Sequence, residues 1–347
     1  MGGKLRYALV GAGNCGAGKH LASYKKLEGD VEVVGVYDYN QELAKKVSEA
    51  NGGIKVYATL EEVCADKNID VVSVATANKF HASYAIDLLN SGKHVHVEKP
   101  IAMSVKEACM MDEAAKKSGK LLMVGLNNRF TEISQFAKSY VDEGHLGEIY
   151  HARCGWRRRE CYVPLGSWFC NKEMSGGGPL IDLGVHYIDL TLFLCGYPAP
   201  KTVSAATYNK FIPISYNEDG SPYYNVEDMA TGFMRFDNGM SIDFEFSWGS
   251  HVEKEIFFFE IMGSTGGIKF ENDKLMIFAL QNGKMVDIIP RVYNTGGWGN
   301  NEAKHFVECI KTGVKETLAP ASDAIKMMKI IEATYKSAEE KCEVKID

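Results

Sequence analysis

A glycine-rich turn near the start of the chain has the spacing of a phosphate-binding loop. The segment Gly11-Ala12-Gly13-Asn14-Cys15-Gly16 directly follows the apolar run LRYALV and opens a helix-like stretch. Its glycines allow a tight turn, and they let backbone N–H groups at a helix N-terminus approach a pyrophosphate. Asp38 ends the next apolar run, about 20 residues beyond the last glycine, where a carboxylate can accept hydrogen bonds from ribose hydroxyls. These residues predict a dinucleotide site.

The side chain at position 38 also distinguishes between dinucleotides. A carboxylate there would repel the 2′-phosphate of NADP, and no arginine directly follows Asp38. We therefore predict NAD as the cofactor. Flavin is disfavoured because nothing later in the sequence resembles a second flavin-binding segment.

Two other groups of residues could take part in proton transfer. Glu98-Lys99-Pro100 follows the apolar run HVHV, and the carboxyl end of a parallel strand is where open α/β sheets bind ligands. Asp182 and His186 stand four residues apart after the glycine-rich segment 175–179, so a helix would place carboxylate and imidazole on one face. Taken singly, the lysine could be a solvated side chain and the histidine a structural one.

The elements that must position these groups are visible in the hydrophobic pattern. The first third of the chain alternates helix-like segments with five strand candidates, which are LRYALVGAG, VEVVGVYD, VVSVAT, HVHVEK and LLMVGL. Strands that alternate with helices predict a parallel, doubly wound sheet. We place this N-terminal Rossmann dinucleotide-binding domain at residues 1–126 and predict an α/β protein overall.

Residues 127–347 predict a second domain of the α+β class. In the run 241–248, apolar and polar residues alternate as in a strand with one buried face, and Asp237-Asn238-Gly239 before it indicates a hairpin turn. EIFFFEIMG, GIKFEN and KLMIFAL continue the series. We predict a large, open, mostly antiparallel sheet of five or more strands, with helices at 179–195, 301–312 and 322–340.

Composition excludes several other classes of protein. The 347 residues are 46% hydrophobic and carry a net charge of −6, which disfavours disorder, a nucleic-acid partner and an anionic membrane surface. No apolar run approaches membrane-spanning length, and the first residues lack a signal-peptide pattern. The nine cysteines include no CxxC pair, so we expect reduced thiols, a cytoplasmic location and no metal site.

Read together, these features resemble the Gfo/Idh/MocA family of NAD(P)-dependent oxidoreductases. The resemblance rests on the GxGxxG turn, the acidic end of the second strand, Glu-Lys-Pro after a later strand, and a GGGxLxDxGxHxxD helix. It extends over essentially the whole chain and implies that Lys99, Asp182 and His186 are catalytic. Oxidation of a secondary alcohol needs a base for the hydroxyl proton while a hydride leaves, and a histidine suits that role.

In this interpretation Asp182 orients His186, and Lys99 stabilises the developing alkoxide. The residue types leave open whether Lys99 or His186 accepts the proton first. The chain departs from the family at 76–81, where Ala77 replaces the proline of a Thr-Pro-x-x-x-His pattern. Asn127 lies in a segment that resembles the family's strand-exit motif. The predicted cofactor-binding residues are Gly11, Gly13, Asn14, Cys15, Gly16, Asp38, Thr76, Asn78, His81, Glu98, Lys99 and Asn127.

An aromatic and arginine-rich segment at 156–169 predicts the substrate class. Aromatic faces pack against the C–H faces of sugars, and guanidinium groups donate to hydroxyls or carboxylates, so a polyhydroxylated ring is expected. Consecutive residues of a strand point to alternate faces, so the arginines cannot all line one pocket. The glycine-rich segment 293–301 is a candidate lid. The predicted substrate-binding residues are Lys99, Arg157, Arg158, Trp168, Asp182 and His186.

The sequence therefore predicts an NAD-dependent dehydrogenase that acts on a secondary hydroxyl of a sugar, a glycoside (at C3) or a cyclitol. One alternative is a redox-neutral NAD-dependent glycosidase of the same family. Another is a non-catalytic sensor of NAD or sugar, although a sensor need not keep Lys99, Asp182 and His186. The resemblance also implies that residues 127–347 form the domain for substrate binding and oligomerisation, and that the protein is a homodimer or homotetramer.

Overall fold

The computed structural model describes residues 3–293 and 299–346, so most of the predicted lid at 293–301 lies outside the described residues. The chain divides into two compact units, Met1–Phe130 with Gly296–Ile325, and Thr131–Thr295 with Lys326–Asp347. The α-helices are α1 Ala22–Lys25, α2 Gln41–Ala50, α3 Leu60–Ala65, α4 His81–Asn90, α5 Val105–Ser118, α6 Glu132–Asp142, α7 Lys172–Ser175, α8 Val185–Leu194, α9 Asn300–Thr312 and α10 Ala321–Glu340.

The strands form one large sheet in each unit and, at 215–224, a separate two-stranded sheet. They are β1 Leu5–Val10, β2 Val31–Tyr37, β3 Lys55–Val56, β4 Val71–Val74, β5 His94–Glu98, β6 Leu122–Gly125, β7 Ile149–Arg157, β8 Pro200–Tyr208, β9 Ser215–Tyr216, β10 Pro222–Tyr224, β11 Met229–Phe236, β12 Ser241–Ser247, β13 Ile256–Gly263, β14 Gly266–Glu271, β15 Lys274–Gln281, β16 Lys284–Ile288 and β17 Val344–Lys345.

The first unit contains the predicted parallel sheet. Its strands lie in the order β3-β2-β1-β4-β5-β6, and every pairing between neighbours is parallel. β2 and β3 lie on one side of β1, and β4, β5 and β6 lie on the other. Open α/β sheets bind ligands at the carboxyl ends of the strands where the strand order reverses in this way. The sequence analysis missed β3, because its two residues are too few to show a periodic pattern.

The second unit contains the predicted mostly antiparallel sheet, with nine strands in the order β16-β15-β14-β13-β7-β12-β11-β8-β17. Within this sheet, β7 and β12 are neighbours that run parallel. On β12, Ile242, Phe244 and Phe246 are buried, as the alternation predicts. The hairpin between β11 and β12 is also confirmed, with the Phe236 N–H donating to the Met240 carbonyl at 2.9 Å.

The three helices predicted beyond residue 126 form with one irregularity. A π-helix, Leu180–Gly184, precedes α8 in the segment predicted as one helix at 179–195. The first unit also differs from the predicted domain 1–126, because α9 belongs to this unit as well. There Lys311 pairs with Asp30, and the Asn301 side chain donates to the Phe130 carbonyl at 3.1 Å. Among the described helices, none is long and apolar enough to cross a membrane.

A buried guanidinium ties the returning segment to the first unit. Arg129 is 1% exposed and follows β6 on the 3₁₀ turn Asn127–Phe130. Its Nη1 donates to the Leu318 carbonyl at 2.8 Å and to Asp323 Oδ2 at 3.0 Å. Since an unpaired buried charge is costly, Asp323 contributes to the stability of this unit.

We expect Asp323→Ala to lower the free energy of unfolding by about 3 kcal/mol, because it removes a carboxylate that pairs with the buried Arg129 charge. Glu340→Ala is the matched control, since Glu340 lies at the exposed end of the same helix and forms a surface pair with Lys336. Urea unfolding followed by circular dichroism measures both. Equal effects of the two substitutions would contradict the assignment.

Candidate active site

At two positions of the glycine-rich turn after β1, neighbouring backbone atoms lie so close that only glycine fits. Gly11 has a φ of +96°, and a Cβ there would lie 2.4 Å from the Ala75 carbonyl oxygen. A Cβ on Gly16 would lie 1.8 Å from the Gly11 carbonyl oxygen. A Cβ on Gly13 would meet no atom within 4 Å. Gly11 and Gly16 therefore shape the turn, and Gly13 leaves its outer face open to a ligand.

The Asp38 carboxylate faces this turn from the end of β2. Its Oδ2 accepts a hydrogen bond from the Ala12 N–H at 2.6 Å, and its Oδ1 accepts one from the Asn40 N–H at 2.7 Å. Each carboxylate oxygen can accept more than one hydrogen bond, so these contacts leave capacity for hydroxyl groups. The structure thus joins Asp38 to the glycine turn, while Asn14 and Cys15 are exposed in the turn.

A nicotinamide dinucleotide fits the polar groups of this sheet edge. The open space beside Gly13 suits a pyrophosphate, and Asp38 stands where a ribose is expected. Asn127, just beyond β6, is 6% exposed, and its buried Oδ1 has no hydrogen-bond partner among the described residues. A buried acceptor without a donor is unfavourable, and a carboxamide N–H would satisfy it.

The segment after β4 is fixed by a buried histidine. Thr76 packs beside Gly11, and Asn78, which is 6% exposed, begins a 3₁₀ turn. His81 is 1% exposed, with Nδ1 at 2.7 Å from the Pro100 carbonyl oxygen and Nε2 at 3.1 Å from that of Thr76. Burial lowers its pKa. With both ring nitrogens facing carbonyls, His81 joins this segment to the Lys99-Pro100 turn and has no ring nitrogen left for a ligand.

Lys99 is half-buried at the end of β5, in a cis peptide with Pro100. Its backbone N–H donates to Oε2 of the preceding Glu98 at 3.1 Å, while Glu98 Oε1 accepts from Lys19 Nζ at 2.5 Å. Glu98 therefore points inward, beneath the Lys99 backbone. Cys15, His20 and Glu98 place one ligand atom each within 4.8 Å of one another, but the Lys19 ammonium already supplies positive charge there.

In the second unit, a buried carboxylate holds the segment before Asp182. Glu227 accepts hydrogen bonds from the Gly178 N–H at 2.9 Å, the Leu180 N–H at 3.2 Å and the Tyr335 hydroxyl at 2.8 Å. A Cβ on Gly178 would lie 2.0 Å from the Glu227 carbonyl oxygen, and one on Gly177 would lie 2.0 Å from the Tyr335 hydroxyl. The glycines are therefore required for this close packing.

The Asp182 carboxylate has a partner that the sequence analysis missed. Trp248 is fully buried just beyond β12, and its Nε1 donates to Asp182 Oδ2 at 2.9 Å. Asp182 lies on the π-helix that precedes α8, and such wide turns occur often at functional sites. The alternation along β12 predicts a buried tryptophan at 248, but it cannot show that the indole N–H reaches a residue 66 positions away.

His186, on the first turn of α8, packs against Trp156 of β7, with ring centroids 6.4 Å apart. The Trp156 Nε1 donates to Glu255 Oε1 at 2.7 Å, and Arg158 Nε lies 3.4 Å from the same oxygen. The Arg158 guanidinium stands over the Trp156 ring at 4.8 Å and over that of Tyr162 at 5.5 Å. We call Trp156, Arg158, Tyr162 and Glu255 the aromatic cluster.

Arg157 and Trp168 lie elsewhere in this unit. Arg157 is on the opposite face of β7 from Trp156, where its Nε lies 3.2 Å from Glu245 Oε1 of β12. Trp168 lies on the 3₁₀ turn Trp168–Cys170 and stacks on Phe169 at 3.8 Å. Three of the predicted substrate-binding residues, Arg157, Arg158 and Trp168, come from the segment 156–169. The structure brings Arg158 to the face of the sheet that carries His186 and places Arg157 on the other face.

Comparisons with known proteins agree with this architecture. Residues 5–126 match a family model described as an oxidoreductase family with an NAD-binding Rossmann fold, and residues 134–269 match a GFO/IDH/MocA C-terminal domain. D-glucoside 3-dehydrogenase of Escherichia coli is 31% identical, over 96% of this chain and 95% of that protein. Another relative, 2,7-anhydro-N-acetylneuraminate hydratase of E. coli, is 29% identical, over 77% of this chain and 68% of that protein.

A solved structure of levoglucosan dehydrogenase in complex with NADH superimposes with a TM-score of 0.87 and 26% identity, over 99% of this chain and 100% of that one. The parallel sheet, the glycine turn and the second sheet domain define an NAD-dependent oxidoreductase. The chain belongs to the Gfo/Idh/MocA family. The resemblance stated from the motifs and the prediction of NAD are thereby confirmed.

Two glycines of the turn, Gly13 and Gly16, should respond differently to an added methyl group. We expect Gly16→Ala to lower the free energy of unfolding by about 2 kcal/mol, because its Cβ would overlap the Gly11 carbonyl. Gly13→Ala should fold normally and bind NAD more weakly, since its Cβ would fill the open face of the turn. Gly18→Ala is the control, with nothing within 4 Å of its Cβ. Thermal unfolding measures the stability of each variant, and titration calorimetry measures its affinity for NAD. A wild-type affinity for NAD in Gly13→Ala would contradict the prediction.

Trp248→Phe tests the support of Asp182. We expect turnover to fall about tenfold or more, because a hydrogen bond to a charged group contributes about 1.5–3 kcal/mol. Tyr197→Phe is the matched control, since the Tyr197 hydroxyl donates to Asp189 of α8 at 2.6 Å. It removes a similar bond beyond the Asp182 segment and should leave turnover near the wild-type value. Equal turnover in both variants, with both folded, would exclude a role for the indole N–H.

Proposed function

We propose that this protein is an NAD-dependent dehydrogenase that oxidises a secondary hydroxyl of a sugar, glycoside or cyclitol, with C3 of a glycoside as the preferred position. The similarity to a D-glucoside 3-dehydrogenase over 96% of the chain is the observation that carries this proposal. The Trp248 contact to Asp182 and the packing of Trp156 on His186 support it, because they hold both side chains in defined positions.

The proposed reaction converts a secondary alcohol and NAD⁺ into a ketone, NADH and a proton. Bound NAD supplies the hydride acceptor. In this scheme the imidazole of His186 or the amine of Lys99 accepts the hydroxyl proton, and a donor on the same oxygen stabilises the developing alkoxide. Asp182, itself held by Trp248, orients the imidazole. Gly11, Gly13, Gly16, Asp38 and Asn127 hold the dinucleotide.

The aromatic cluster supports a ring-shaped substrate with an additional group. Glu255 accepts a hydrogen bond from Trp156 and pairs with Arg158, so both side chains are oriented before a ligand binds. The exposed Tyr162 ring extends the apolar surface beyond Arg158. Such a surface suits the C–H face of a sugar and its aglycone, and Arg158 supplies donors to hydroxyls.

A redox-neutral reaction is the second candidate, because one relative is a hydratase by name. An enzyme that adds or removes water leaves the oxidation state of its substrate and cofactor unchanged overall. Such an enzyme would convert its sugar without net formation of NADH. A sensor without activity is a weaker proposal, since it requires neither the Glu227 support nor the Trp248 support of the Asp182 segment.

We further propose a homodimer or homotetramer in the cytoplasm. All nine cysteines are free thiols, which suits a reducing compartment. One face of the nine-stranded sheet carries charged pairs such as Arg153 with Glu260 and Arg157 with Glu245. An open sheet with such a face suits association between identical copies, in which each charge can meet its opposite. A small carbohydrate is the proposed partner in the site.

Absorbance of NADH tests the proposal directly. The purified protein is mixed with NAD and a panel of cyclitols, hexoses and glycosides, and we expect absorbance to grow for one class of substrate. A matching 3-deoxy glycoside should give none if C3 is oxidised. Lys99→Ala should abolish the signal and keep NAD binding nearly intact, because the glycine turn and Asp38 remain to hold the dinucleotide.

Wild-type turnover in Lys99→Ala would contradict the assignment of the lysine. Conversion of a sugar without NADH would favour the redox-neutral reaction, and chromatography of the sugar products detects it. No conversion of any sugar, with NAD bound to the purified protein, would favour the sensor.

A further inference from the structure

A cluster of buried charged side chains lies behind the Lys99 turn, within the first unit. It comprises Lys19, Glu98 and Glu302, with His20 and His96 beside them. Exposure of these side chains is 11% for Lys19, 8% for Glu98 and 1% for Glu302. Three charges buried together are costly, so their arrangement must be supported by mutual contacts.

Glu98 is the member that contacts the predicted catalytic lysine. Its Oε2 accepts the backbone N–H of Lys99, which fixes where the Lys99 side chain leaves the chain. Its Oε1 lies 2.5 Å from Lys19 Nζ and 2.7 Å from His20 Nε2. Burial alone would raise the pKa of Glu98, but Lys19 and His20 hold it well below the usual range.

Lys19 joins two carboxylates from distant parts of the chain. It lies on the π-helix Gly16–Leu21, which follows the glycine turn, and its Nζ also lies 3.3 Å from Glu302 Oε2. Although burial alone would lower the pKa of Lys19, Glu302 and Glu98 raise it, so the ammonium stays charged. The side chain is thus shared between Glu98 below the Lys99 turn and Glu302.

Glu302 belongs to the first turn of α9, the helix that returns from the far end of the sequence. Gly299 caps this helix with a φ of +81°, and a Cβ there would lie 2.9 Å from Lys19 Cγ. Glu302 Oε1 also lies 3.5 Å from His96 Nε2. The start of α9 is therefore packed and charged against Lys19, which places a fixed negative charge behind Glu98.

We propose that Glu302 is a positioning residue for catalysis, which acts through Lys19 and Glu98 on the placement and charge environment of Lys99. Glu302 touches neither the glycine turn nor Lys99 in any described contact. Its effect passes along the chain of contacts from Glu302 to the Lys19 ammonium, then to the Glu98 carboxylate, then to the Lys99 backbone N–H. This inference rests on the proposed dehydrogenase for its kinetic test.

The kinetic test is a double-mutant cycle on Lys19 and Glu302. Glu302→Gln should lower kcat about tenfold, with little change in the KM for NAD, because displacement of a reacting group slows chemistry more than binding. Lys19→Met should lower kcat as well, and adding Glu302→Gln to it should cause no further loss. Glu308→Gln is the control, since Glu308 is an exposed residue of α9 paired with Lys304.

A second measurement reports on Lys99 without turnover. The purified variants are treated with trace acetic anhydride, and mass spectrometry compares acetylation of Lys99 with that of Lys79, an exposed lysine of the same unit. Removal of the Glu302 charge makes the surroundings of Lys99 more positive and favours the neutral, reactive amine. The ratio should rise severalfold in Glu302→Gln and stay unchanged in Glu308→Gln.

Additive losses of kcat in the double variant, or an unchanged acetylation ratio in folded Glu302→Gln, would overturn the inference. A loss of kcat that only follows the unfolded fraction, measured by thermal unfolding, would overturn it too. If the wild type oxidises no sugar, the proposed function fails, and the acetylation ratio still decides the role of Glu302.

Discussion

The Glu98 carboxylate is buried at the carboxyl end of β5, and a buried carboxylate must be surrounded by donors. The side chains of Lys19 and His20 and the backbone N–H of Lys99 meet this requirement. These donors come from two parts of the chain, the helix after the glycine turn and the end of β5. Lys19 and His20 follow the glycine turn, so the same helix start that faces the dinucleotide site also supplies the donors that hold the Lys99 turn.

A comparable arrangement supports the second group of proposed catalytic residues. Glu227 is buried and accepts two backbone N–H groups at the start of the π-helix that carries Asp182. Acidic groups are favourable at helix N-termini, because the first N–H groups have no partner within the helix. The flanking glycines bring the backbone close enough for these bonds. In both units a buried glutamate thus orients the segment on which a proposed catalytic side chain stands.

The sequence predicts the parts of this design that depend on local pattern. Glycine spacing, the acidic end of β2, the alternation along β12 and the extent of α10 are all properties of neighbouring residues. Glu302 could not be predicted, because it acts on residues more than 200 positions earlier and reads as an ordinary charged residue at the start of an amphipathic helix. The contact between Trp248 and Asp182 was missed for the same reason. The alternation of side chains along a strand shows that Arg157 and Arg158 point to opposite faces of the sheet. It does not show which face carries His186.

The donors around the two glutamates differ, and this difference has a physical consequence. Glu98 is held largely by the Lys19 charge, which keeps its pKa low, whereas Glu227 is held by two amides and a phenol, and burial raises its pKa. Charged donors create a local potential that reaches neighbouring groups, and neutral donors fix mainly direction and distance. The Lys99 turn is therefore controlled by both charge and geometry, while the Asp182 segment is controlled mainly by geometry. In the proposed reaction, a lysine that accepts the proton or stabilises the alkoxide benefits from the first arrangement, and a carboxylate that orients an imidazole needs no more than the second.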